Sequence, residues 1–339
     1  MDILIKSFNR PYYLDRCLHS IEKYVKGADK ITILDDGTPQ IYLDKIKAKY
    51  QNVTIKKSEF YEQKQIFTLN GIRPNEYSIP INFWFEAAKN ASENFIIIED
   101  DFWFIDFIDL SQVNDEINNE SVVFLKLIWI GSPMVIQSKE AIQKDSFVVL
   151  KPKLFTTIPF LYYFIFYKFD RFKIRKTLRF LKINTQKKHL AYYTIYSVAG
   201  MIFNRDYFVN LWNNHENKID EGLQIHNALK FLRKQKKKIQ FARYNNQILR
   251  TGFMSSATSQ YKERFGENID MFVFNKIMNE AWLMDKMDVT SSLPKDIDQE
   301  VITSILDDDA EKRILSKNWI VWMNNFKKQY ESIGCKIDW

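Results

Sequence analysis

The run from Asn94 to Asp101, Asn-Phe-Ile-Ile-Ile-Glu-Asp-Asp, constrains this chain more than any other segment, because four apolar residues lead directly into three consecutive carboxylates. A short β-branched run without alternation reads as a strand covered on both faces. Open α/β sheets bind ligands just beyond the carboxyl ends of such strands. Three adjacent carboxylates repel one another and cost stability unless a cation or ligand offsets them, and a hard divalent ion suits that position. The spacing Glu99-x-Asp101 is common, so its meaning depends on the surrounding chain.

The N-terminal third supplies those surroundings. Ile3-Leu4-Ile5 reads as a strand ended by Ser7-Phe8-Asn9-Arg10-Pro11, and Pro11 opens a helix with Leu14, Cys17, Leu18 and Ile21 on one face. Lys30 to Leu34 forms a second strand, ended by Asp35-Asp36-Gly37-Thr38. Helical spacing follows over Ile41 to Tyr50, then a strand over Asn52 to Lys57, a helix over Ile81 to Ser92 and the acidic strand. Such alternation predicts an α/β fold with a mainly parallel sheet and helices on its faces.

Strands ending near Asn9-Arg10-Pro11, in Asp35-Asp36-Gly37-Thr38 and in Glu99-Asp100-Asp101 resemble, in order and spacing, the nucleotide-sugar-binding half of family 2 glycosyltransferases with the GT-A fold. The resemblance covers residues 1–105, is weaker over 190–260, and is absent from the final eighty or so. The helix before the acidic strand usually carries an Arg-Asn pair in that family; here Ile81-Asn82 stands in its place.

The resemblance implies a nucleotide-diphospho-sugar transferase. Asp101 would be the direct ligand of a Mn²⁺ or Mg²⁺ and Glu99 would act through water. Asp100 would lie near the donor ribose or sugar, while Asp35 and Asp36 would bind base and ribose. Ser7, Asn9 and Arg10 would border the nucleotide pocket, although Arg10 reads equally well as a surface residue. Such an ion would bridge the diphosphate leaving group without proton transfer. An inverting transferase also needs a base for the acceptor hydroxyl. Following Ser197 to Phe203, Glu221 is the first choice and Asp220 the alternative, where family members commonly show Glu-Asp; both acids also suit the cap of a helix over Leu223 to Leu232. In the loop from Ile248 to Ser256, Arg250 would pair with phosphate oxygens, and Ser255 and Ser256 would donate hydrogen bonds. Arg250 stands where relatives often place a His, so no third protein ligand is expected. The donor expected is a UDP-sugar and the acceptor a glycan or lipid-linked glycan, as in bacterial surface polysaccharide synthesis.

Charge separates a further region. The net charge is +7, yet residues 151–190 alone hold eleven Lys or Arg against Asp170, with ten Phe or Tyr among them. Aromatic residues 160–167 followed by the cationic run Lys168 to Lys188 match an interfacial segment on an anionic membrane, and match equally a core element followed by a solvated basic face. The patch is confined and no nucleic-acid motif accompanies it.

Cys17 and Cys335 lack metal-ligand or disulfide spacing, and His19, His189, His215 and His226 form no ligand set. With no secretory signal before Ile3 and no apolar run near the roughly 20 residues of a membrane span, the expectation is a cytoplasmic protein, peripheral on the inner face of the membrane under the interfacial reading of the basic insertion. Asp307-Asp308-Asp309 reads as a solvated turn between helices. The organisation expected is a nucleotide-sugar-binding half over 1–105, an acceptor half over 106–260 with the insertion at 151–190, and a helical C-terminal extension over 261–339, with Ser291 to Pro294 as a boundary. Competing readings are a nucleotidyltransferase, whose Gly-rich N-terminal phosphate loop is missing here, and a non-catalytic glycan- or lipid-binding protein.

Overall fold

The computed structural model describes residues 1–74, 78–167, 180, 185–213, 218–235, 238–257 and 269–337. Most of the cationic run, over 168–179 and 181–184, and His215 lie outside the described residues. Among the described residues nine strands form one sheet: β1 Asp2–Ser7, β2 Lys30–Asp35, β3 Val53–Lys57, β4 Asn94–Glu99, β5 Val122–Lys126, β6 Ser138–Gln143, β7 Phe147–Pro152, β8 Met201–Asn204 and β9 Gln240–Tyr244. Their spatial order is β3-β2-β1-β4-β8-β5-β9-β7-β6.

The first four strands are mutually parallel, as the alternation predicts. Ser7 stands opposite Asp35 and Lys6 opposite Glu99, so β1, β2 and β4 end level with one another. β8 runs antiparallel between β4 and β5. It enters from Gly200 at φ 81°, a position that also leaves no room for a side chain, since an added Cβ would stand 2.5 Å from Ile128 Cγ2. Pairing with two unlike neighbours closes the parallel half against the rest of the sheet. Phe95, Phe124 and Phe203, on these three central strands, pack ring to ring, with Phe124 edge-on to Phe203 at 5.1 Å.

The helices around this sheet include α1 Pro11–Tyr24, α2 Gln40–Lys49, α3 Tyr61–Asn70, α4 Ile81–Lys89, α5 Leu110–Glu120, α6 Arg205–Trp212, α7 Glu221–Lys234, α8 Met271–Leu283, α9 Gln299–Asp308 and α10 Ser316–Glu331. Asp307 to Asp309 falls where α9 ends, and Asp309 pairs with Arg313 at 2.8 Å.

The C-terminal helices share the buried apolar cluster of the sheet. Tyr12 donates its hydroxyl to Asn275 Oδ1 at 3.0 Å, Tyr13 to Asp296 Oδ1 at 2.9 Å, and Trp282 its indole N–H to Asp15 Oδ2 at 2.9 Å. These bonds clamp α1, which begins immediately after the β1 turn. Residues 269–337 therefore help to fix the position of that turn. No helix among the described residues is long and apolar enough to cross a membrane.

Candidate functional site

A cavity of about 690 Å³ opens beyond the ends of β1, β2 and β4, lined among others by Lys6, Ser7, Arg10, Asp36, Trp84, Glu99, Asp100 and Glu221. The turns that carry these residues continue the sheet pairing. Asp36 N–H bonds the Ser7 carbonyl at 3.0 Å, and Asp100 N–H bonds the Lys6 carbonyl at 2.9 Å. Polar side chains from separate strand ends are thus held at fixed heights around one space.

Arg10 is buried, 4% exposed, instead of lying on the surface. Its Nη2 bonds Asp100 Oδ1 and its Nη1 bonds Asp101 Oδ2 at 2.8 Å. Asp100 Oδ2 accepts the Phe8 N–H at 3.0 Å, so this carboxylate ties the β4 turn to the β1 turn with both oxygens. Burial pushes Asp100 and Asp101 up, with the Arg10 charge pulling each the other way. Burial would likewise raise Glu99, but Lys6, at 2.6 Å, outweighs it and holds that carboxyl below its ordinary value. Lys6 also lies 4.8 Å from the Trp84 ring centroid. Two cations of the chain itself therefore offset much of the repulsion among the three carboxylates.

Asp101 Oδ1 is buried without a hydrogen-bond partner among the described residues. That orphaned oxygen suits a hard cation, with Asp101 as a single protein ligand. Among the described residues no three metal-binding side chains converge, so the remaining ligands of such an ion would come from the donor and water. Glu99 accepts Lys6 through Oε1 and borders the cavity.

At the β2 end, Asp35 and Asp36 divide their work. Asp35 Oδ1 accepts the backbone N–H groups of Gly37 at 3.0 Å and Thr38 at 2.8 Å, shaping the turn. Asp36 reaches the cavity, where Ser58 donates to its Oδ1 at 2.5 Å and Lys64 to its Oδ2. Burial pushes Asp36 up to about 6, against the charge of Lys64. Asn9, at φ 54°, is fully buried, and its Oδ1 accepts from Asn279 at 3.1 Å.

On the opposite wall, Glu221 borders the cavity at the first residue of α7. Tyr193 donates its hydroxyl to Glu221 Oε2, and burial raises the Glu221 carboxyl while that bond lowers it. Asp220 is the helix cap: its Oδ1 accepts the Leu223 N–H at 3.0 Å and its Oδ2 the Tyr167 hydroxyl at 2.7 Å.

Arg250, Ser255 and Ser256 of the 248–256 loop bond to neighbouring parts of the chain. Arg250 donates to the Pro294 carbonyl at 2.9 Å and Ser255 to Asn275 Oδ1 at 2.7 Å, while Ser256 accepts Asn275 Nδ2 through its carbonyl at 3.0 Å. None of the three lines the cavity, which Ala257 borders instead. Sequence reasoning passed over Lys6, Trp84, Lys64 and Tyr193. Lys6 carried a usable signal, a lone lysine closing an apolar buried strand; the others did not.

Comparison of the sequence with protein-family models finds no match, and comparison with curated proteins finds none. Among solved structures, the chain is similar to S. aureus TarS 1–349 at 10% identity and TM-score 0.38, over 98% of this chain and 92% of that one. It is also similar to the bifunctional glycosyltransferase WbbM at 11% identity and TM-score 0.37, over 84% of this chain and 50% of that one. Mouse xyloside xylosyltransferase 1 is similar at 12% identity and TM-score 0.23, over 39% of this chain and 54% of that one. Similarities of this size leave the functional reading to the site's own residues.

Proposed function

We propose that this chain is a glycosyltransferase of the GT-A type, moving a sugar from a nucleotide-sugar donor, UDP-linked in the first instance, to a glycan or lipid-linked glycan with inversion. The observation that carries the reading is one cavity holding Asp36, Arg10 and Asp100 at the carboxyl ends of parallel strands, with Glu221 on the facing wall. Ligands of open α/β sheets bind at such ends.

Each group has a part in that chemistry. Asp36 receives the base or ribose. Arg10 and Lys6 stand beside the diphosphate, where positive charge stabilises the leaving group as it departs. A Mg²⁺ or Mn²⁺ held by Asp101 would supply further neutralisation of the same oxygens. Glu221 takes the proton from the acceptor hydroxyl as it attacks the anomeric carbon, and burial fits it for that work by raising its basicity. Both Asp220 oxygens are already engaged, which favours Glu221 over its neighbour. Synthesis of a bacterial surface polysaccharide, by an enzyme working at the inner face of the membrane, is the setting proposed for this activity.

The test is release of nucleoside diphosphate across a panel of UDP-, GDP-, CDP- and dTDP-sugars, with and without Mn²⁺. Release from one donor class is expected. No release from any of them would overturn the reading.

A further inference from the structure

We propose that the far half of α7 and the aromatic segment packed across it form the binding site for a lipid phosphate, the amphiphilic end of the acceptor. This rests on the transferase reading above and names its substrate class.

Gly222, His226, Lys230 and Arg233–Lys234 recur at intervals of three and four residues and share one face of α7. The segment 159–167 lies against that face. An added Cβ on Gly222 would stand 2.3 Å from the Tyr167 ring, and the Tyr163 ring lies 5.5 Å from that of His226. Only a residue without a side chain permits this approach so close to Glu221. Farther along, Phe160, Tyr163 and Phe164 on one side and Lys230, Arg233 and Lys234 on the other border an open groove of about 590 Å³. Phe160 is 66% exposed, and Ile158 and Leu161 beside it are also exposed. Lys230, Arg233 and Lys234 are all exposed.

The chemistry of the two walls selects the ligand. A free phosphate would satisfy the cations and leave the phenylalanines in water; an apolar chain alone would do the reverse. A chain ending in phosphate satisfies both, since its methylenes cover aromatic surface while its oxygens take charge-assisted hydrogen bonds. Lys230 lies nine residues beyond Glu221, roughly 14 Å along the helix axis, so the proposed phosphate site and the candidate base stand on one helix.

Farnesyl diphosphate is a suitable probe, titrated calorimetrically into the full chain without nucleotide. Lys230→Gln/Arg233→Gln/Lys234→Gln is expected to bind it about a hundredfold more weakly, each lost charge contributing about one part in three of that loss. Phe160→Ser/Phe164→Ser is expected to bind about tenfold more weakly. These positions border solvent, and thermal melting confirms that both variants fold. Farnesol and inorganic diphosphate should each bind at least about tenfold more weakly than farnesyl diphosphate. Equal affinity in wild type and both variants would overturn the proposal. Diphosphate binding as tightly as the probe would reduce the site to an anion patch and overturn it. Binding only to phosphatidylglycerol vesicles would make the surface a bilayer contact, overturning it again. A parallel titration of wild type with UDP separates the two readings: farnesyl diphosphate bound without any nucleotide binding would remove sugar transfer and the acceptor role with it.

Discussion

Arg10 takes one carboxylate oxygen of Asp101, Nη1 to Oδ2 at 2.8 Å, and leaves the other, Oδ1, buried without a partner among the described residues. That second oxygen is the one proposed to meet a bound cation. Asp101→Asn weakens the ion pair and removes the anionic ligand together. Donor turnover should be lost, and the melting temperature should also fall, because breaking a buried pair by removing one partner costs on the order of 3–5 kcal/mol. Asp309→Asn, at the pair with Arg313 and away from the cavity, should leave turnover intact. Full turnover by the Asp101 variant would remove this carboxylate from the site.

Glu221 and Asp220 separate by their side-chain bonds. Glu221→Gln should lower transfer by roughly 10²–10⁴-fold while UDP binding persists, since the diphosphate contacts lie on the facing strands. Asp220→Asn should keep the helix cap, since Asn and Asp cap about equally well, and keep most of its transfer rate. The opposite pattern in steady-state kinetics would move the base by one residue.

Tyr193 gives a pH test of the same assignment. Burial raises the Glu221 carboxyl and the Tyr193 hydroxyl lowers it by bonding the charged form. Removing the hydroxyl in Tyr193→Phe leaves burial unopposed, so the acidic limb of the kcat/KM profile should move to higher pH, with activity lost first at the acid end. An unmoved limb would mean that Glu221 is not the titrating base.

Lys126 gives a test of stability away from the candidate cavity. It is 2% exposed on β5, its ammonium 5.4 Å from the Phe124 ring centroid, and burial pushes it down to about 7. Between about pH 7 and the ordinary lysine value near 10.4 the folded state binds fewer protons than the unfolded chain. Stability is therefore full above that window and falls as pH drops through it, by on the order of 5 kcal/mol. Lys126→Met should melt higher than wild type near about pH 6, with the gap closing toward about pH 10. Parallel melting curves across that range would contradict this.

Local chemistry made much of the fold legible. Ile96 to Ile98 and Ile31 to Leu34 are β-branched or aliphatic runs closed by acidic turns, and their strand assignments depend only on neighbours in sequence. Helix α3 shows the limit. Its buried residues are Tyr61, Lys64 and Thr68, too polar a face to give an apolar stripe, yet Lys64 is the partner of Asp36. Arg10 with Asp100 and Asp101 joins positions ninety residues apart, a pairing that no spacing reveals. Ser291 to Pro294 has the composition of a boundary, but Asp296 just beyond it is buried and accepts the Tyr13 hydroxyl, because α1 needs a polar partner where its tyrosines enter the core. The polarity of Ser255 has the same origin, serving Asn275.

The central claim is that the cavity between Asp36 and Glu221 holds a nucleoside diphosphate. Calorimetric titration of UDP, with Mn²⁺ present, into wild type and Asp36→Asn tests it most directly. The account predicts saturable one-to-one binding by wild type, weakened about tenfold or more in Asp36→Asn as a hydrogen bond to a charged group is lost. Absence of binding by UDP, GDP, CDP and dTDP alike would contradict it.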